Sequence, residues 1–192
     1  MPLTSLDRNS ALVLIDLQKS VVQAAPLGPV IARAAHLATT FRLRGLTTVL
    51  VQLAHDPSAF PPGRTDLAPT RNLTQASQPR HDDFLEELRR QPDDVIITKR
   101  NWGAFYGTDL DLQLRRRGVT QIVLAGVATS IGVESTARCA HERGYHLALV
   151  TDAMADLDPD AHRHSITKIF PRLGETTTTA EVLTSLAAPT TP

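Results

Sequence analysis

Arg115-Arg116-Arg117-Gly118-Val119-Thr120-Gln121-Ile122-Val123-Leu124-Ala125 packs the end of a helix and the start of a strand into one short run. The basic residues suit the negative end of a helix dipole, and a glycine just past a helix adopts the left-handed conformation that side chains resist. The apolar residues that follow do not alternate with polar ones, which marks a strand buried on both faces, as in a parallel sheet. The same junction recurs at Arg44-Gly45 before Leu46-Thr47-Thr48-Val49-Leu50-Val51, and at Arg143-Gly144 before His146-Leu147-Ala148-Leu149-Val150. A repeated helix-to-strand junction of this kind belongs to an α/β chain.

Working outward, Ala11-Leu12-Val13-Leu14-Ile15 and Val95-Ile96-Ile97-Thr98 read as further buried strands. Helical faces fill the intervals: Val30, Ala34, Leu37, Ala38 and Phe41; then Phe84, Leu85 and Leu88; then Leu110 with Leu114. Asp158-Pro159 reads as an N-cap followed by proline at the first helical position, ahead of a face made by Ile166, Ile169 and Phe170. Strands alternating with helices predict a three-layer α/β/α sandwich around a mostly parallel, Rossmann-like sheet of five to six strands. In such a sheet the functional site lies beyond the carboxyl ends of the strands.

The whole chain, 1–192, fits one domain by length. Apolar residues at 42% and charged residues at 21% give it enough material for a core, so disorder is not expected. Lys plus Arg equals Asp plus Glu at 20 each, which leaves no net field to draw nucleic acid or an anionic membrane. The start of the chain lacks a basic, apolar leader, and no apolar run is long enough for a membrane span, so a cytoplasmic location is expected. The single cysteine, Cys139, excludes an internal disulfide and is expected to be a small buried hydrophobe on a helix. The stretch 55–80, rich in Pro, Ser, Thr and Gln, is long for a connector and reads as a lid or subunit contact, and 187–192 as a frayed tail.

Polar residues that follow the strands are the candidates for chemistry. Asp16 ends the first strand, Lys99 ends the Val95 strand, and Ala128-Thr129-Ser130-Ile131-Gly132 follows the Gln121 strand. Singly, such an Asp serves equally as a helix cap and such a Lys as an exposed charge; their convergence on one sheet edge is what points to a site. Phe60, Trp102, Phe105 and Tyr106 offer an apolar lining or, equally, plain core. Arg64 or Arg100 is placed to pair with a carboxylate. Thr129 and Ser130 carry hydroxyls but no base beside them in sequence, and their plainer role is to complete the turn or cap the helix.

These segments together resemble the isochorismatase-like, or cysteine hydrolase, superfamily. Val13-Leu14-Ile15-Asp16-Leu17-Gln18 looks like its Asp-x-Gln opening, and Lys99 followed by Ala104-Phe105-Tyr106-Gly107-Thr108-Asp109-Leu110 looks like its second motif. Gly126-Val127-Ala128-Thr129-Ser130-Ile131-Gly132-Val133-Glu134-Ser135-Thr136-Ala137-Arg138 looks like the third. The likeness thins between about residues 55 and 90.

The resemblance implies a catalytic set of Asp16, Lys99 and the position of the family's nucleophilic cysteine, which here is Gly132. Glycine closes the thioester route of the family's amidases at that position. Cys139 lies roughly 10 Å further along the helix and does not replace it. Isochorismatases proper resemble this chain in having glycine there. They hydrolyse a vinyl ether, which requires a proton on carbon and then water, with no thiol. Acid catalysis by Asp16, partnered by Lys99, is therefore the expected chemistry on a small-molecule substrate. The balance between burial and the Lys99 charge at Asp16 is left open by the sequence.

The resemblance further implies a cis peptide between Val127 and Ala128 and a dimeric or tetrameric assembly. Gln18, Phe60, Trp102, Phe105, Ala128 and Thr129 are the positions expected to meet substrate. No cofactor or metal is expected: relatives that hold zinc use an Asp and two His after the second strand, where this chain has only His55-Asp56, with His81 next. His162 and His164 are read as surface residues. Two alternatives stay open: a catalytically silent binding or oligomeric scaffold, and a small-amide hydrolase whose cysteine has been replaced by Gly132.

Overall fold

A computed structural model describes residues 3–22, 27–54, 64, 66 and 84–188. The chain runs β1 (Ser10–Ile15), α1 (Lys19–Val22), α2 (Gly28–Leu43), β2 (Thr47–Leu53), β3 (Val95–Lys99), α3 (Leu110–Arg116) and β4 (Gln121–Val127). It continues through α4 (Glu134–Glu142), β5 (His146–Ala155), α5 (Pro159–His164), β6 (Glu175–Thr177) and α6 (Thr179–Ala187). The six strands form one sheet in the order β3-β2-β1-β4-β5-β6, and every pairing is parallel. The expected α/β/α sandwich is thus what the chain forms.

The layers follow from which strand positions face which helices. Val13, Ile15, Val49, Ile97, Ile122 and Leu124 pack with Leu110 and Leu114 of α3, Ala137 and Ala140 of α4, and Phe170. The alternate residues Leu12, Leu14, Leu50, Val123 and Ala148 pack with Ala34, Leu37, Ala38 and Phe41 of α2 and with Val182 and Leu186 of α6. Both faces of the central strands are therefore covered, which is why β1 and β4 are apolar and buried at nearly every position.

Three expectations are corrected. Phe84, Leu85 and Leu88 do not line a regular helix: Leu85 is extended, Glu86–Leu88 is a single 3-10 turn, and Arg89 at φ 44° ends it. Phe84 instead forms an antiparallel bridge with Gln18. The strand at His146 runs on to Ala155, well past Val150, with a register break against β4 between Leu124 and Gly126. β6 is an edge strand read as part of no element, because three threonine-rich residues carry too little apolar signal.

The segment 55–80 lies almost wholly outside the described residues, as does the tail from residue 189. Among the described residues no helix is long and apolar enough to cross a membrane.

Candidate active site

The strand order reverses at the centre of the sheet: from β1 the chain goes to β2 and β3 on one side, then returns to β4 on the other. The carboxyl ends of β1 and β4 border that switch point, where α/β sheets place their ligands, and Lys99 reaches it from the end of the edge strand β3. Asp16 follows β1 directly, and its φ of 52° puts it in the left-handed region. Few residues with a Cβ accept this conformation, Asp and Asn being among those that do. Lys99 is the last residue of β3 and is 1% exposed, an uncommon burial for a lysine.

The two meet: Lys99 Nζ lies 2.7 Å from Asp16 Oδ2 and donates to the Trp102 carbonyl at 2.6 Å. Asp16 Oδ1 is buried and has no hydrogen-bond partner among the described residues. Burial pushes the Asp16 carboxyl up from 3.8 to about 6, against the Lys99 charge and hydrogen bond, which pull it down. The question left open by the sequence is therefore decided in favour of burial. A carboxyl near 6 exchanges protons readily around neutrality.

Gly132 completes the cluster. A methyl placed on it would stand 3.1 Å from Lys99 Nζ, 3.3 Å from Asp16 Oδ2 and 3.0 Å from Ile15 Cγ2. It belongs to a wide, π-type turn, Thr129–Val133, which links β4 to α4. Such turns are rare and concentrate at functional sites. The Val127-Ala128 peptide that leads into the turn is cis. From the other side, Thr136 donates its hydroxyl to the Gly132 carbonyl at 2.7 Å and accepts from the Ala104 N–H at 3.0 Å. One buried hydroxyl thereby joins the Gly132 turn to the loop after Lys99.

The remaining expected contacts divide. Trp102 is 67% exposed beside its Lys99-bound carbonyl, and Ala128 is half-buried at the turn. Gln18 is fully buried and its amide is spent on β2, accepting from the Leu53 N–H at 2.7 Å and donating to the Leu53 carbonyl at 3.5 Å. Phe105 is a core residue: its ring packs on Tyr145, which precedes β5, with the Arg143 guanidinium 4.9 Å from its centroid. That places it toward the amino edge of the sheet, away from Asp16. Arg100 is exposed, and Phe60, His55, Asp56 and His81 lie outside the described residues.

Thr129 and Ser130 do not cap the helix. The Thr129 hydroxyl lies 2.8 Å from His162 Nδ1, and Ser130 donates both N–H and O–H to Asp156 Oδ2 at 2.7 Å each. His162, read as a surface residue, is half-buried against the turn; only its position on a helix after an N-cap hinted at this. Cys139 is half-buried on α4 and packs against the core rather than the site. No three His, Cys, Asp or Glu side chains are grouped to hold a metal ion among the described residues.

Comparison with known proteins shows the family to which this fold belongs. The profile of the isochorismatase domain matches residues 10–181. The isochorismatase family protein YwoC of Bacillus subtilis is 43% identical over 92% of this chain and 93% of its own length. The ureidoacrylate amidohydrolase RutB of Methylobacterium radiotolerans is 31% identical over 84% of this chain and 69% of its own. The structure of an isochorismatase family protein from Burkholderia thailandensis superposes with a TM-score of 0.88 at 43% identity, over 96% of this chain and 98% of that one.

Proposed function

This chain belongs to the isochorismatase family of hydrolases, and from that premise we propose that it hydrolyses a small molecule by acid catalysis, without a covalent intermediate. The observation that carries the reading is Asp16 Oδ1, a buried oxygen with no hydrogen-bond partner among the described residues, on a carboxyl pushed up to about 6 whose other oxygen, Oδ2, faces Gly132.

An enol ether is the substrate class that this arrangement suits. Protonated Asp16 delivers its proton to the terminal carbon of the C=C bond, and the positive charge left behind is an oxocarbenium ion shared with the ether oxygen. Water adds to the carbon that bears the ether oxygen and loses a proton to the Asp16 carboxylate. The resulting hemiketal collapses to an alcohol and a ketone, consuming one water and returning Asp16 to its starting state. Lys99 occupies Oδ2, which leaves Oδ1 as the oxygen that carries the proton. Gly132 puts no side chain against the pair, where even a methyl would stand 3.1 Å from Lys99 Nζ.

Amide hydrolysis, the activity in the RutB name, fits less well. Residue 132 offers no nucleophile, and the hydroxyls around it are engaged: Ser130 with Asp156, Thr129 with His162 and Thr136 with the Gly132 carbonyl. The deciding experiment incubates purified protein with isochorismate, simpler enol ethers and a panel of small amides. Alcohol and keto-acid release, with no mass increment on the intact protein, is the expected result. Turnover confined to amides would overturn the proposal.

A further inference from the structure

The turn that carries Gly132 is gripped by a segment that contributes nothing to the Asp16–Lys99 pair. Thr129 and Ser130 are consecutive residues at its start; Ser130 reaches Asp156 in the stretch between β5 and α5, and Thr129 reaches His162 within α5. That segment is closed on itself. Asp156 Oδ1 accepts from the Asp158 N–H at 3.2 Å; Asp158 caps α5 by accepting from the Asp160 and Ala161 N–H groups; and the His162 N–H donates to the Asp158 carbonyl at 2.9 Å. A ring of hydrogen bonds thus runs from the turn through Asp156, Asp158 and His162 and back to the turn.

Two points of attachment from one rigid element fix the rotation of the turn as well as its position. No side chain caps either the turn or α4, so these two contacts act beside the Thr136 hydroxyl on the Gly132 carbonyl in holding it. Thr129 is fully buried, so its hydroxyl depends on the imidazole for a partner.

We propose that His162 is a positioning residue that, through Thr129, holds the Gly132 turn against the Asp16–Lys99 pair, with Asp156 doing the same through Ser130. Neither touches the reacting atoms. Their effect is on placement, and displacement of a reacting group by about 1 Å can lower a rate by about 10²-fold. The kinetic part of this assignment rests on the acid-catalysed reading above.

The test compares His162→Leu, which keeps bulk but removes both ring nitrogens, with His162→Asn, whose amide sits where Nδ1 was. On an enol ether, His162→Leu should lower kcat about 10-fold or more with KM within about threefold of wild type, and His162→Asn should recover most of the loss. Adding Thr129→Val to His162→Leu should cost nothing further, since both remove one contact. Hydrogen exchange at the amides of residues 129–133 should quicken in His162→Leu and return to normal in His162→Asn. Wild-type kcat and exchange in His162→Leu, failure of the asparagine variant to rescue, or additive losses would each overturn the assignment. A wild-type protein inert toward every enol ether refutes the acid-catalysed reading instead, and the exchange measurements alone then decide the clasp.

Discussion

Lys99→Met removes an ammonium from 2.7 Å beside Asp16 Oδ2 while keeping most of the side chain's length and volume. With the cation gone, burial is the main influence left on the Asp16 carboxyl, which already stands at about 6 against the pull of Lys99. A neighbouring cation lowers an aspartate by about 1–3 units, so the variant's carboxyl should move to roughly 7–9. Taking roughly 8, about half of the variant is protonated at pH 8 against about 1% of the wild type, whereas at pH 6 the fractions are about 99% and 50%. The ratio of variant to wild-type kcat should therefore climb about 25-fold between pH 6 and pH 8, even though misplacement of Asp16 lowers the variant's absolute rate. Initial rates of alcohol release at saturating enol ether, measured across roughly pH 5–9, give this ratio directly. A ratio that stays flat or falls as pH rises would refute Asp16 as an acid that works protonated.

Asp16→Asn retains shape but delivers no proton, so turnover should fall by about 10²–10⁴-fold while substrate still binds; near-normal turnover would leave Asp16 a structural residue and refute its role as the acid. The same carboxyl makes stability depend on pH. Its folded value, about 6, exceeds the ordinary 3.8, so its contribution is fully present below 3.8 and is lost as pH rises through 6. That loss amounts to about 3 kcal/mol in full, and urea unfolding of wild type against Asp16→Asn at about pH 3 and 8 should show it in the wild type only. Cys139→Ser, and alkylation of the folded protein, should leave turnover unchanged, because Cys139 packs against the core and not the site; loss of activity on alkylation would contradict a cysteine-independent mechanism. Gly126→Ala should cost about 3 kcal/mol or more in a thermal or urea melt. At φ 121° its methyl would stand 2.2 Å from the Ile15 carbonyl oxygen, so a wild-type melting curve would show that β1 and β4 are not so closely apposed.

The sheet was legible because β2, β4 and β5 announce themselves twice, by a basic-glycine junction before the strand and by an apolar run within it, and β1 by its apolar run. Asp16, Lys99 and Gly132 could be gathered from sequence for the same reason: in a parallel sheet, residues that follow strands share an edge. Contacts that depend on where an individual side chain turns were not legible. Nothing in the sequence told that the Gln18 amide would be consumed by Leu53. Nor did the order of residues separate Phe105, turned down onto Tyr145, from Trp102, left exposed three residues earlier. The Thr129–His162 contact joins residues 33 apart across two elements, and no local pattern encodes it. β6 was missed for a different reason: its pairing with β5 rests on backbone hydrogen bonds, which leave no trace in hydropathy.

The left-handed backbone at residue 16 has an evolutionary consequence. It screens side chains by shape: β-branched and bulky residues are excluded, while Asp, Asn and Gly pass. It does not screen charge. Asparagine can still accept from Lys99 through its carbonyl, so the conformational filter that protects the fold leaves the proton unprotected. Aspartate and asparagine codons differ by one base, so under the acid role proposed for Asp16 a folded but inert descendant is a single transition away. Purifying selection on the chemistry itself, and not on the architecture, is what must keep the carboxylate in place.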